Sequence, residues 1–353
     1  MSLAFIIGKS HWDRESATLV VRASPSGRTF FYMAPTSPDT RPSFRHRAEA
    51  GLFHLVEGIV SRLPWETTLV LGRGLGRLAH ALDRRHRTVV RENLRKADLG
   101  LTEAGIRAVS LDCFEHFGTL ALTAIHLLHM DEEELARRVK VVGVENYDAA
   151  RAAGKGFIVL TGHYGNWEAT ALALSALGRT LSVIGRELDN PLLEPRLRQL
   201  RGRFGNEVIP KDGAFRGAIK ALREGKAVGF LLDQDALTAG VWVKFLGRWA
   251  STFPSAGLLA VKYGLPVVQL RSWPNPDGTI TVSVEPPFQV PVTGDMDRDV
   301  WTATQIMTQK IEAEIRREPR WWFWMHRRFK TRPGEGDPLP APLPPDEWLL
   351  NSR

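Results

Sequence analysis

The stretch that most constrains this chain is Phe157-Ile-Val-Leu160, an unbroken apolar run bounded by Gly156 and Gly162. It is short and contains two β-formers, which predicts a strand buried on both faces, as in the middle of a parallel sheet. The chain then turns at Gly162 and Gly165 and enters an alanine- and leucine-rich helix, Ala169 to Leu177. A strand that ends in polar residues and hands over to a helix is where open α/β sheets place their chemistry.

His163 and Glu168 stand at that junction. On one continuous helix an offset of five is about 140° and roughly 7.5 Å of rise, so the side chains would not meet. They meet only if the backbone breaks between them. Gly165 permits the break, and Asn166 can cap the new helix through its side-chain oxygen. Glu168 then lies in the first turn, where the helix dipole favours a carboxylate. An ionised Glu168 at one imidazole nitrogen would fix the tautomer and leave the other nitrogen free to take a proton from an alcohol. Such general-base help contributes about 10²–10⁴ in rate. The plain alternative is a histidine that only closes a sheet end, and the spacing alone does not separate the two. Zinc wants three or four ligands, and no second His or Cys lies within about twenty residues, so no metal is predicted. A Gly-x-Ser-x-Gly nucleophile elbow is absent. What remains is activation of an external hydroxyl.

Residues 46–333 read as one domain. Helical periodicity is clear at Leu52, Leu55, Val56, Ile59 and Val60, again from Thr67 to Leu82, and over a long segment from Thr102 to Met130. Strands are expected at Val139–Val142, Phe157–Leu160, Leu181–Ile184, Glu207–Ile209 and Ala227–Leu232, alternating with helices. That order predicts an α/β fold with a mostly parallel central sheet and helices on both faces. The last of these strands runs into Asp233-Gln234-Asp235, which puts Asp233 on the same rim as His163. Pro266–Trp273 and Thr279–Val284 read as antiparallel strands, and Val241–Trp249 as a loop. Residues 1–45 look like an extension of unknown role, with a hairpin at Thr18–Ala23 and Thr29–Met33. Residues 334–353 form a proline-rich tail.

The net charge of +8 points to an acidic partner: nucleic acid, anionic lipid, a phosphorylated substrate or an acidic protein. Arginines lie beside the apolar faces of the N-terminal helices, so these can sit in a membrane interface or pack on the core with a solvated basic face. Neither a signal peptide nor a spanning helix is expected. The segment Arg320 to Arg332 interleaves aromatics and cations; it suits a bilayer seat or a packed C-terminal segment, and no nucleic-acid signature accompanies it. The single Cys113 excludes an internal disulfide framework and fits a core position.

The ordered set Gly162-His163-x-x-x-x-Glu168, Arg186 with Asn190-Pro191, Arg201-Gly-Arg203, Phe215-Arg216-Gly217, Asp233-Gln234-Asp235, Phe245-Leu-Gly247 and Trp324 to Pro333 resembles the bacterial lauroyl/myristoyl, or late, acyltransferases of lipid A biosynthesis. The resemblance runs from near Leu52 to Pro333. It implies a glycerolipid-acyltransferase-like fold and transfer of a fatty acyl chain from acyl carrier protein to a hydroxyl of a lipid A precursor. No cofactor is implied beyond the thioester co-substrate, and no covalent acyl-enzyme. A phosphatidylinositol mannoside branch shares the His/Glu block and is similar to acyl-CoA users, so acyl-CoA and another glycolipid or a lysophospholipid form the alternative. The resemblance makes His163 the base and Glu168 its partner, with Arg203 and Asp233 also in the site. Arg186, Arg203 and Arg216 are expected on lipid or phosphopantetheine phosphates, and backbone N–H groups after Gly165, towards Asn166, on the oxyanion. It places the enzyme at the cytoplasmic face of the bacterial inner membrane, peripheral or monotopic, against an anionic membrane surface.

Overall fold

The computed structural model describes the backbone of residues 17–23 and 29–35, and residues 42–185, 187–337 and 339–340. β1 (Ala17–Ala23) and β2 (Thr29–Pro35) pair as an antiparallel hairpin, slightly longer than expected. Three helices follow: α1 (Phe44–Val60), α2 (Trp65–Leu82) and α3 (Arg84–Lys96). The long α4 (Glu103–His129) is capped by Thr102, whose side chain accepts from the Gly105 N–H. The helical pattern is interrupted between Val60 and Trp65, and Pro64 stands at the start of α2, where proline's missing N–H costs nothing. α2 crosses α4 in backbone contact. A Cβ on Gly76 would lie 2.2 Å from the Phe114 carbonyl oxygen, so the crossing is open only to glycine.

The α/β core then runs α5 (Glu132–Arg138), β3 (Val139–Val142), α6 (Val144–Ala152), β4 (Phe157–Thr161), α7 (Trp167–Ala176), β5 (Leu181–Gly185), α8 (Glu194–Gly202), β6 (Glu207–Pro210), α9 (Ala214–Arg223) and β7 (Ala227–Leu231). It is completed by β8 (Val241–Phe245), β9 (Arg248–Thr252), α10 (Ser255–Tyr263), β10 (Val267–Pro274), β11 (Ile280–Val284) and α11 (Met296–Arg317). The seven-stranded sheet has the order β3-β11-β10-β4-β7-β5-β6. β10, β4, β7, β5 and β6 are parallel, and the β10–β11 hairpin turns the direction at one side. β4 is the central strand, and Phe157, Ile158, Val159 and Leu160 are all buried.

Two expectations are corrected. Val241–Trp249 is not a loop: β8 and β9 pair antiparallel around Leu246 and Gly247. Both residues have positive φ, +50° and +80°, the geometry of a tight hairpin turn; leucine seldom adopts it, which hid the turn from sequence. The aromatic and basic segment 320–332 is not a bilayer seat. Trp322, Trp324, Met325, Arg328 and Phe329 are buried in the main core. Arg328 is kept there by the Gln234 carbonyl at 3.0 Å, the Ser251 carbonyl and the Thr252 hydroxyl, with Phe245 under its guanidinium.

The outer faces of α1 and α2 are apolar. Leu55 and Ile59 on α1, and Val70, Leu71, Leu78 and Leu82 on α2, are exposed. Among the described residues, no helix is long and apolar enough to cross a membrane.

Candidate active site

β4 and β7 are adjacent and parallel, with Thr161 opposite Leu231. Two residues beyond that pair, His163 therefore faces Asp233. The Asp233 carboxylate is buried and takes three donors. Oδ2 accepts from the His163 backbone N–H at 2.6 Å and from the Trp322 indole at 2.7 Å, and Oδ1 lies 2.9 Å from His163 Nδ1. Burial by itself would raise its pKa; the charge and hydrogen bonds of His163 and the Trp322 donor outweigh it and hold the carboxyl at about 2. An ionised Asp233 calls for a proton on Nδ1, which leaves Nε2 as the basic nitrogen. The side-chain amide of Gln234 lies 3.3 Å from Nε2.

The turn after His163 is clamped. Gly165 has φ +60°, and a Cβ there would lie 2.0 Å from the Ser272 carbonyl oxygen, so a side chain is excluded twice over. Its N–H donates to the Trp321 carbonyl, and its own carbonyl accepts from His116 Nε2 at 3.0 Å. Asn166 caps α7 as expected: its side chain accepts from the Ala169 N–H, and its own N–H donates to Ser272 Oγ. Of the first-turn amides, those of Trp167 and Glu168 have no protein acceptor among the described residues.

Glu168 is not at the imidazole. It pairs with Arg201 on α8, 2.7 Å from Oε1 to the guanidinium, with a second contact at 3.1 Å through Nε. Asp233 occupies the position expected of Glu168 because parallel pairing of β4 with β7 delivers it to Nδ1. Residue 168, in the first turn of α7, is carried toward α8 instead.

The model of the bacterial lipid A biosynthesis acyltransferase family matches residues 38–331. The chain belongs to this family. It is 28% identical over 283 residues to the lipid A biosynthesis lauroyltransferase of Escherichia coli, covering 79% of this chain and 90% of that one. A phosphatidylinositol mannoside acyltransferase of Mycobacterium tuberculosis is 27% identical over 248 residues, 68% of this chain and 76% of its own. The lipid A biosynthesis palmitoleoyltransferase of Escherichia coli is 25% identical over 287 residues, 77% and 88% respectively. The protein is an O-acyltransferase.

In this acyltransferase the expected arginines scatter. Arg203 binds no site group: its guanidinium takes the carbonyls of Leu127, Leu128 and Met130, closing the C-terminal end of α4. Those carbonyls lack intrahelical donors, so a cation beside them is favoured. Arg216 is exposed in the first turn of α9, which follows the edge strand β6, three positions from β4. Arg186 lies outside the described residues. Arg201, named with Arg203 in the Arg201-Gly-Arg203 motif, has no role in the site assigned to it from sequence. It lies seven residues after Glu194 on the face of α8 that carries Leu197, and that helical phase was its available signal. His116, Ser272 and Trp322 join the site from remote segments and carry no local signal. Cys113 is buried, its sulfur 3.5 Å from the Trp322 carbonyl, and burial pushes its thiol up to about 12, which removes it as a nucleophile.

Proposed function

We propose that the protein moves a fatty acyl chain from acyl carrier protein to a hydroxyl of a lipid A precursor, with His163 as general base and Asp233 as its partner. The observation that carries this reading is the Asp233–His163 contact at Nδ1, in a chain of this family. The acceptor hydroxyl gives its proton to His163 Nε2 as its oxygen attacks the thioester carbonyl. The tetrahedral oxyanion collapses, the C–S bond breaks, and the imidazolium returns the proton to the departing thiolate. The free N–H groups of Trp167 and Glu168, at the positive end of α7, are the donors for the oxyanion. Glu168, tied to Arg201, fixes the first turn of that helix instead of touching the reacting atoms. No enzyme-bound acyl group is formed and no cofactor takes part.

A seat on anionic lipid at the cytoplasmic face of the inner membrane is supported by the exposed apolar residues of α1 and α2. Residues 44–96 carry eleven Arg and Lys against five Asp and Glu, and such a charge beside an apolar face suits an anionic bilayer. The second reading, transfer from acyl-CoA to a phosphatidylinositol mannoside type of glycolipid, is favoured by the mycobacterial relative. The test offers acyl carrier protein thioester and acyl-CoA, each with a tetraacylated lipid A precursor or a phosphatidylinositol mannoside. Product from one pair names donor and acceptor. Transfer to none of these acceptors by folded, membrane-bound protein overturns the reading.

A further inference from the structure

Between α2, α4 and the turn joining β10 to β11 lies a cavity of about 220 Å³. It reaches the catalytic turn through Asn166 and Trp321. Trp65 and Trp321 supply aromatic walls and Leu69, Leu120 and Ile280 aliphatic ones, while Arg73, Asp112 and His116 bring polar groups to the same space. Trp65 is held in place, its indole N–H donating to the Gly278 carbonyl at 2.9 Å. An alkyl chain would offer no partner to the half-buried Asp112 carboxylate or to His116 Nδ1. A phosphate would meet the two carboxylates of Asp112 and Glu115. Two arginines, Arg73 and Arg320, and two acids, Asp112 and Glu115, leave the lining without net formal charge, and the aromatic faces suit a ring that is apolar on its faces and polar on its rim.

His116 ties this space to the chemistry. Its Nε2 is committed to the Gly165 carbonyl, and burial pushes its pKa down to about 4, so it is neutral at ordinary pH. Its Nδ1 makes no hydrogen bond within the described residues and stands as an acceptor for a hydroxyl.

We propose that this cavity binds a neutral sugar ring of the acceptor, with Trp65 and Trp321 against the ring and Asp112, Arg73 and His116 Nδ1 on its hydroxyls. A ring seated there would present a neighbouring hydroxyl to the turn that carries His163. The inference rests on the glycolipid acceptor proposed above. It places the acceptor's sugar on the α2–α4 side and so leaves the acyl chain to another surface.

The probe is octyl glucoside below its micelle concentration, with octanoate and inorganic phosphate as comparisons. Hydrogen exchange is followed in residues 65–73 and 274–280. Octyl glucoside should protect both segments, and Asp112→Asn and Arg73→Gln should each weaken that protection about tenfold in concentration. The same variants should raise KM for a glycolipid acceptor about tenfold and leave KM for the thioester unchanged. Arg73 lies on an exposed helix position, so its variant remains informative if Asp112→Asn fails to fold. Protection by octanoate or phosphate but not by octyl glucoside would overturn the assignment, as would protection by none of the three. Glycolipid acylation with KM and protection unaltered in both variants would overturn the cavity assignment alone. Protection by octyl glucoside in a protein that acylates no glycolipid would overturn the proposed acceptor and leave the cavity as a sugar site.

Discussion

Asp233→Asn is the sharpest perturbation of the proposed chemistry. Oδ2 accepts two donors, from the His163 N–H and the Trp322 indole, whereas Oδ1 faces only Nδ1. An asparagine of the same shape therefore keeps its oxygen on the two-donor side and turns its NH₂ to Nδ1. Nδ1 must then accept, the ring proton moves to Nε2, and the base is lost while the packing stays. The expected loss in kcat is about 10²–10⁴, equivalent to roughly 3–5 kcal/mol of barrier. Stability changes as well. The carboxyl titrates at about 2 in the fold against a usual 3.8, a difference worth on the order of 2 kcal/mol at neutral pH. Because the folded pKa is the lower, this increment is fully present above pH about 4 and is lost as pH falls through about 2. Asp233→Asn should lack it at every pH. Initial rates of transfer from an acyl thioester, with urea melts at pH 7 and pH 3, measure both effects. A variant with kcat within threefold of wild type would refute the pairing, most tellingly if Glu168→Gln were inactive while its imidazole kept its tautomer.

Four further outcomes follow from the same contacts. Arg203→Met should lower stability by about 1.5–3 kcal/mol, since charge-assisted bonds to the α4 carbonyls vanish, with KM for the thioester unchanged; urea melts and initial rates check it. Gly165→Ala should lose folded protein in a soluble-yield and thermal-melt comparison, because positive φ costs about 1–2 kcal/mol before the clash with Ser272 is counted. Glu168→Gln should destabilise by about 3 kcal/mol or more through the buried charge left on Arg201, and Arg201→Met in the same background should recover part of it. Leu71→Glu with Leu78→Glu should cut retention on anionic vesicles at least tenfold in a flotation assay, given about 1.5–3 kcal/mol per buried leucine, with transfer between detergent-soluble substrates preserved.

Local sequence was sufficient wherever an element's identity depends on its own residues. The glycine-bounded run at 157–160 and the Asn166 cap are read from near neighbours, and both stand in the structure. Hydrophobic periodicity likewise located most strands and helices. It did not reveal that Leu246 takes a left-handed conformation, because the hairpin geometry and not leucine's preference sets that angle. Nor could composition separate a bilayer seat from a core segment at 320–332. Aromatics and cations suit both, and only the hydrogen-bond partners waiting for Arg328 and Trp322 decide it.

The residues at 162–168 by themselves determined that His163 stands at a strand-to-helix turn on the sheet rim, since short-range backbone preferences act within a few residues. Which carboxylate meets it was decided by tertiary structure alone. Glu168 is five residues away in sequence yet is turned to Arg201 by one step of helix. Asp233 is seventy residues away yet is brought to Nδ1 because β7 lies beside β4 in matched register. A hydrogen bond depends on distances of a few tenths of an ångström, and in this fold those are set by sheet pairing, which no local spacing encodes.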